Sequence, residues 1–267
     1  MPELPEVETV RTSLEGPVGQ KLSAVSVRDR RLRYRVPPNF GAAVLGKKLL
    51  ALERTGKYLL WKFPDHQFVF HLGMTGRLLI NQKEDSPYLK LRFVFSRDSV
   101  DFIDVRRFAF ALEGAAVLPA LPRGIDALAL RVSHLLKSKI RSSTSAIKNL
   151  LLDQSIVAGL GNIYVAELLF DAGIDPRRQG KSLSDAELSR IAKACRAVLR
   201  RAVRAKGSSI SDYVYSLPGE KAFSTGSYQQ QFRVYSRAGQ SCPRCNNLIT
   251  KIVQGGRSTF FCPRCQS

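Results

Sequence analysis

The cysteines are the residues whose spacing most directly indicates chemistry. Four of the five lie in the last 26 residues, as two Cys-Pro-Arg-Cys turns with 16 residues between them, and these are Cys242, Cys245, Cys262 and Cys265. Two such turns at this separation are typical of a tetrahedral zinc site with four thiolate ligands. Because the protein fills every ligand position, we expect one structural Zn²⁺ rather than a catalytic one. The alternative is a redox-active dithiol pair, which the spacing disfavours.

The N-terminus carries a second candidate for chemistry. If Met1 is removed, as is usual before a small second residue, Pro2 presents a secondary amine beside Glu3 and Glu6. A terminal amine has a pKa of about 7.7–8.0, so part of it is neutral and able to attack a sugar carbon and form an iminium. The two carboxyl groups are candidates for proton transfer. The alternative is that Pro and Glu here simply begin a helix, which the residues alone favour.

Two basic residues stand at the ends of predicted strands. Lys57 follows Gly56 at the start of a predicted strand, and Arg257 closes the predicted hairpin tip formed by residues 254–257. The planar guanidinium fork of an arginine can bind two phosphate oxygens at once. Solvated surface charges are the alternative for both residues.

Short segments rich in Val, Leu, Phe and Tyr follow an N-terminal helix that we predict over residues 3–14. They predict strands at 21–28, 47–54, 57–63, 68–72, 77–80, 89–95 and 100–105. Evenly spaced short strands with turn residues between them are typical of an antiparallel sandwich or barrel.

The second half of the chain has helical periodicity instead. Apolar residues at helical spacing predict helices over 146–154, 163–172 and 185–206, and Ser184 with Glu187 forms a capping box for the last one. Prolines and a glycine between the halves predict a hinge. The expected organisation is a β-domain over 1–118, a hinge over 119–130, a helical domain over 131–222 and a zinc finger over 232–267.

The charge of the chain indicates an anionic partner. The net charge is +20 and the isoelectric point about 10.2, while a hydrophobic content of 44% excludes a disordered basic tail. Residues 1–130 carry 20 basic and 14 acidic groups, against 22 and 8 in residues 131–267. Duplex DNA fits this excess; RNA, a membrane surface or a generally basic exterior are alternatives. With no targeting segment or membrane span visible, we expect a soluble, intracellular, cytoplasmic and nucleoid-associated protein.

The motifs together resemble the formamidopyrimidine-DNA glycosylase and endonuclease VIII family, over essentially the whole chain. The resemblance rests on the following, in order: Pro2-Glu-Leu-Pro-Glu-Val-Glu-Thr9, Gly56-Lys57, His71-Leu-Gly-Met-Thr-Gly76, Asp104-Val-Arg-Arg-Phe108, Gly159-Leu-Gly-Asn-Ile-Tyr164 and the four-cysteine finger. It implies an α+β multidomain fold, with an N-terminal antiparallel β-sandwich, a helix-two-turn-helix domain and a C-terminal zinc finger. DNA is expected in the cleft between the halves.

The resemblance also assigns roles in catalysis. Pro2 would be the Schiff-base nucleophile, Glu3 the acid for the sugar ring oxygen, and Glu6 a supporting group. Lys57 would act in proton transfer or phosphate contact. Arg257 would hold the phosphate of the flipped nucleotide and assist the later elimination.

Further residues match the DNA contacts of the family. The residues that would fill the gap left by the flipped base are Met74, Arg106 and Phe108. Those that would contact phosphates are Lys148, Asn162 and Tyr164. Two more, His71 and Tyr88, lie at other DNA-binding positions. From the residues alone, core packing, a helix cap or a packed ring would explain several of them as well. The segment 217–228 would cover the extruded base.

The expected activity is excision of oxidised purines, 8-oxoguanine and formamidopyrimidines, from double-stranded DNA, followed by strand cleavage through β,δ-elimination. Leu4 matches the formamidopyrimidine branch of the family, where endonuclease VIII usually has Gly. The same chemistry on oxidised pyrimidines is one alternative. A noncatalytic zinc-finger protein that binds damaged DNA is another. We expect a monomer.

Overall fold

The computed structural model describes residues 1–83, 85–136, 138–208 and 226–267. The described residues divide into two compact units, one of residues 1–2 and 6–121, the other of residues 3–5, 122–208 and 226–267. In the described part of the chain, no helix combines the length and the apolar character needed to cross a membrane.

The first unit is built on two antiparallel sheets of four strands each. Its elements are α1 (Leu4–Ser13), β1 (Leu22–Val27), β2 (Ala51–Thr55), β3 (Tyr58–Phe63), β4 (His66–His71), β5 (Arg77–Ile80), β6 (Leu89–Phe95), β7 (Ser99–Ile103), β8 (Phe110–Glu113) and α2 (Val117–Ala120). The first two residues of α1 belong to the second unit. One sheet has the order β1-β6-β7-β5 and the other β2-β3-β4-β8. This arrangement confirms the predicted antiparallel β-sandwich.

An aromatic cluster fills the core between the two sheets. Trp61 of β3 lies 4.9 Å, between ring centroids, from both Phe70 of β4 and Phe93 of β6. All three rings are buried. Burial of each such side chain contributes roughly 1.5–3 kcal/mol, so the cluster is a major source of cohesion between the sheets.

The second unit is mainly helical. Its elements are β9 (Ile125–Asp126), α3 (Val132–Leu136), α4 (Ile147–Leu152), β10 (Val157–Ala158), α5 (Asn162–Ala172), α6 (Asp185–Arg204), β11 (Thr250–Gln254) and β12 (Arg257–Phe261). Helix α6 begins with the predicted capping box of Ser184 and Glu187. The short strands β9 and β10 pair in parallel.

The C-terminal finger packs on helix α5 of the same unit. Strands β11 and β12 form a hairpin whose two-residue turn, Gly255-Gly256, has φ values of 55° and 71°. Glycine suits these positive φ angles, which match the twist of a hairpin. Phe260 and Cys262 pack with Phe170 of α5 in one apolar cluster, so the finger is part of the helical unit rather than an appendage.

Candidate active site

The Glu3 carboxylate lies at the N-terminus of α5. Its Oε2 accepts hydrogen bonds from the backbone N–H groups of Gly161 (2.8 Å) and Tyr164 (3.4 Å), and Oε1 accepts from Ile163 (3.0 Å). The side chain is buried. The N-terminus of a helix offers unpaired N–H groups and the positive end of its dipole, so this position favours a carboxylate without needing a basic side chain.

The close approach of Glu3 depends on Gly161. A Cβ atom at residue 161 would lie 2.3 Å from Cδ of Glu3, which is inside van der Waals contact. The neighbouring residue adds a backbone bond, because the N–H of Leu4 donates to the carbonyl of Gly159 over 3.1 Å. The N-terminal motif and the Gly159–Tyr164 motif are therefore two sides of one contact.

Gly161→Ala should displace the Glu3 carboxylate and destabilise the protein by about 1–3 kcal/mol, the cost of leaving buried polar groups unsatisfied. The backbone tolerates Ala, since φ at residue 161 is −135°, so the loss comes from the clash. Urea unfolding measures it. In a Glu3→Ala background the same change should cost less; equal costs in both backgrounds would contradict the steric explanation.

Several other predicted catalytic residues lie in the β-sandwich unit. Pro2, Glu6 and Lys57 are buried. Burial, assisted by the positive charges of Lys57 and Arg33, lowers the pKa of His71 to about 4. His71 is therefore neutral at pH 7.

The neutral His71 ring has a fixed orientation. Its Nδ1 accepts a hydrogen bond from the N–H of Gly73 over 3.1 Å, and the ring stacks on Phe110 with 5.2 Å between centroids. With Nδ1 occupied as acceptor, the neutral ring carries its proton on Nε2. Nε2–H is thus the group that His71 can offer as a donor.

A buried carboxylate organises the loop that carries two of the predicted gap-filling residues. Asp104 is fully buried; its Oδ1 accepts from the hydroxyl of Thr75 over 2.5 Å and its Oδ2 from the N–H of Ala109 over 2.8 Å. The Thr75 hydroxyl in turn accepts from the N–H of Arg106 over 3.0 Å. These bonds tie the loop of Arg106 and Phe108 to the loop of Met74.

The same two loops also touch through their backbones. A Cβ at Gly73 would lie 2.4 Å from the carbonyl carbon of Phe108. The guanidinium of Arg106 lies over the Phe108 ring, 5.1 Å from its centroid, and Phe108 is 46% exposed. The structure thus brings Met74, Arg106 and Phe108 onto adjoining loops. The supporting roles of Thr75 and Asp104 were missed by the sequence analysis, although both lie inside the quoted motifs.

Two predicted phosphate-binding residues support the strand that begins at Arg257. The carbonyl of Ser258 accepts from Lys148 Nζ (3.2 Å) and from Asn162 Nδ2 (2.9 Å). Lys148 Nζ also donates to the hydroxyl of Thr259 over 2.6 Å. These bonds anchor the start of β12, while Arg257 itself is exposed.

The remaining predicted DNA contacts differ in exposure. Lys148 and Tyr164 have no exposed surface. Burial, together with the charge of Arg257, lowers the pKa of Lys148 to about 8. Tyr88 is half-buried, and its carbonyl accepts from the N–H of Asp104. The phosphate contacts of Lys148, Asn162 and Tyr164 and the DNA contact of Tyr88 stay predictions. Most of the predicted lesion-covering segment, residues 217–225, lies outside the described residues.

The four cysteines of the finger fit one tetrahedral zinc ion. Their sulfur atoms all lie within 4.8 Å of one another, with 3.9 Å between Cys242 and Cys265 and 3.5 Å between Cys245 and Cys262. A Zn–S bond of about 2.3 Å in a regular tetrahedron requires sulfur atoms about 3.8 Å apart. With four thiolates and no open position, the site is a structural zinc site.

Three family models match successive parts of the chain. The formamidopyrimidine-DNA glycosylase N-terminal domain matches residues 1–111, and the formamidopyrimidine-DNA glycosylase H2TH domain matches residues 124–214. The zinc finger found in FPG and IleRS matches residues 239–267. The order of the three agrees with the order of the sandwich, the helices and the finger.

Similar proteins match along their full length. The formamidopyrimidine-DNA glycosylase of Laribacter hongkongensis is 39% identical over 282 residues, which cover 100% of both chains. The crystal structure of MutM (FPG) from Thermus thermophilus has a TM-score of 0.84 and 36% identity, covering 99% of this chain and 98% of that one. The Lactococcus lactis FPG (MutM) complex with a Fapy-dG containing DNA has a TM-score of 0.84 and 32% identity, covering 99% and 100%.

Proposed function

This chain belongs to the formamidopyrimidine-DNA glycosylase family, and from that premise we propose its substrate, its mechanism and the residues that carry it. As a member of this family it is a DNA glycosylase of base-excision repair with abasic-site lyase activity and one structural zinc. Its substrate is double-stranded DNA that contains oxidised purines, 8-oxoguanine or formamidopyrimidines. Leu4 supports this choice, as does the Fapy-dG DNA in the Lactococcus complex.

The buried Glu3 carboxylate at the N-terminus of α5 is the observation that carries the mechanism. Glu3 directly follows Pro2, so its anchoring restricts the residue proposed as nucleophile. An acid held by three backbone N–H groups has a defined position. We assign to Glu3 the delivery of a proton to the sugar ring oxygen: its carboxylate first accepts the proton that the Pro2 nitrogen loses.

The reaction begins with a covalent bond between enzyme and sugar. The neutral Pro2 nitrogen attacks C1′ of the damaged nucleotide and loses its proton to the Glu3 carboxylate. The N-glycosidic bond breaks with its electron pair leaving on the base, which takes up a proton from water. The ring then opens as Glu3 protonates its oxygen, and a cationic iminium forms. Glu6 supports these proton transfers, and Lys57 acts in proton transfer or phosphate contact.

The iminium then drives strand cleavage. Loss of a C2′ proton feeds electrons toward the cationic nitrogen and expels the 3′ phosphate, and a second elimination expels the 5′ phosphate. Water finally releases the sugar fragment from Pro2. No external oxidant or reductant is needed, because the iminium is the electron sink throughout.

The damaged base has to leave the stack before Pro2 can reach C1′. We assign Met74 and Phe108 to the vacated space as apolar wedges, and Arg106 to the unpaired partner base. The bonds from Thr75 and Asp104 support this assignment, because a wedge must keep its position while the duplex bends. His71 and Tyr88 complete the proposed DNA-binding surface.

Arg257→Ala is expected to slow the second elimination more than base release. We assign the guanidinium to the phosphate that leaves, where it offsets the developing charge; Lys148, Asn162 and Tyr164 bind or position neighbouring phosphates. Product analysis on 8-oxoguanine duplex separates free base, β-product and δ-product. Arg257→Lys keeps the charge without the planar fork. Its rate of second elimination should lie between those of the wild type and Arg257→Ala. Equal loss of all three products in Arg257→Ala would limit the residue to phosphate binding.

The choice of lesion is tested by comparing excision from matched duplexes that contain 8-oxoguanine or 5-hydroxycytosine. We expect the oxidised purine to be excised faster under single-turnover conditions. A preference for 5-hydroxycytosine would overturn the assignment and favour an endonuclease VIII-like enzyme for oxidised pyrimidines, with the same Pro2 chemistry.

We further propose that the protein acts as a monomer. We also propose that it acts in the cytoplasm, at the nucleoid, because its substrate is DNA. The proposed domains keep the boundaries expected from the sequence, 1–118, 131–222 and 232–267, with a hinge over 119–130. The boundary between the two compact units, after residue 121, falls inside that hinge.

A further inference from the structure

A groove on the helical unit has no role in the proposed reaction. We call it the α6 groove: one face of α6 forms one wall, and residues 128–132 form the other. Its volume is about 590 Å³, inside the range of about 300–1,000 Å³ that is usual for ligand sites. The groove is thus large enough to hold a bulky side chain together with its neighbours.

The lining of the α6 groove combines apolar side chains with basic ones. Leu128, Val132 and Ala192 contribute apolar surface, and we call these three residues the apolar floor. The charged lining residues are all basic, and they are Arg131, Lys193, Arg196 and Arg200. Four like charges around a recess create a positive potential that attracts anions.

Three of these charges are available to a ligand. Arg131, Lys193 and Arg200 are exposed, and within the described residues none of them forms an ion pair with a carboxylate. Arg196 differs, because its guanidinium donates to the carbonyl of Leu130 and so ties the two walls together. One arginine therefore connects the two walls of the groove, and the other three cations remain accessible to an anion.

The shape and floor of the groove favour a peptide over DNA. A duplex is convex and presents phosphates, whereas a recess with an apolar floor gains most from burying an apolar side chain. Lys193 and Arg200 are seven residues apart on one helix, or about 10 Å at a rise of about 1.5 Å per residue. An extended peptide covers that distance with about three residues.

We propose that the α6 groove binds a short acidic segment of a partner protein. An apolar side chain of the segment occupies the floor formed by Leu128, Val132 and Ala192. Its flanking carboxylates pair with Arg131, Lys193 and Arg200. This function is separate from glycosylase activity and would bring the enzyme to a protein that carries such a segment.

The probe is a fluorescein-labelled hexapeptide, Glu-Asp-Phe-Leu-Asp-Glu, whose binding is followed by fluorescence anisotropy at fixed ionic strength. Lys193→Glu combined with Arg200→Glu should weaken binding at least tenfold. The matched control is Arg204→Glu, an exposed charge reversal on the same helix but outside the groove, which should bind like the wild type. Replacing Phe-Leu in the probe by Ser-Ser should also remove binding, because the floor then has nothing to bury.

Measurements of DNA affinity and DNA cleavage distinguish a peptide-binding groove from a DNA-binding one. The double variant should keep its affinity for undamaged duplex DNA and its cleavage of abasic DNA. A weaker duplex affinity in the double variant, but not in Arg204→Glu, would assign the groove to DNA and overturn the proposal. So would absence of probe binding to the wild type, or equal binding by all variants. If the double variant does not fold, Ser189→Glu tests for the same loss of probe binding, because it places a negative charge at an exposed position of the groove lining.

Discussion

Pro2→Glu is expected to lower base excision and strand cleavage by at least about a thousandfold, the scale seen when a covalent nucleophile is removed. Glutamate is too large for the usual removal of Met1, so the terminal amine moves one residue away from Glu3. Without an amine on residue 2, no iminium can form. Borohydride should therefore trap no covalent adduct between this variant and abasic DNA, whereas the wild type should be trapped.

Pro2→Gly is the matched control for the position of the amine. Glycine permits removal of Met1 and leaves a primary amine on residue 2, so adduct formation should persist at reduced yield. Intact mass establishes the first residue of each protein. A full yield of adduct from Pro2→Glu would exclude Pro2 as the nucleophile. No adduct from the wild type would contradict the iminium mechanism.

Removal of zinc is expected to unfold the finger and thereby to lower the affinity for DNA at least tenfold. The hairpin that carries Arg257 is held by the four thiolates and by a small apolar cluster on α5. Metal ligation and folding are coupled in such small domains, so Cys245→Ser should have the same effect as chelation. Metal analysis measures the bound zinc, and fluorescence anisotropy with an abasic-site analogue duplex measures the affinity for DNA.

The fifth cysteine provides the control for this prediction. Cys195 of α6 is buried, and its thiol donates to the carbonyl of Ala127, away from the finger cysteines. Burial raises the pKa of this thiol to about 12, which disfavours the thiolate form that binds metal. Cys195→Ala should keep zinc and DNA binding. DNA binding of unchanged affinity by metal-free protein would contradict the role given to the finger.

The secondary structure was predicted well where the local pattern was strong. Strands β5 and β6 and the capped start of α6 lie where the sequence predicts them. Strand β8 and helix α3 were missed, since four or five residues are too few to show a period. Strand β2 begins at Ala51 rather than near residue 47, because its length is set by pairing with β3.

The candidate site shows a similar division. Residue types and motif order pointed to Pro2, Glu3 and the four cysteines. No local pattern indicated that Asp104 and Thr75 hold the loop of Arg106, or that Lys148 is buried beneath the finger hairpin. These contacts depend on which surfaces pack together, and short-range periodicity carries no information about that.

The sequence by itself determined the family, the fold class and the zinc ligands of this protein. Each of these is indicated by residue types that recur at short and regular spacing along the chain. Only the tertiary structure decided that the Glu3 carboxylate lies on the N–H groups of residues 161–164, and that Gly161 must lack a side chain there. It also decided that four cations of α6 and its neighbouring segment line one groove together with apolar side chains. The physical reason is distance along the chain. Glu3 and Gly161 are 158 residues apart, and only packing of the complete core brings such residues together.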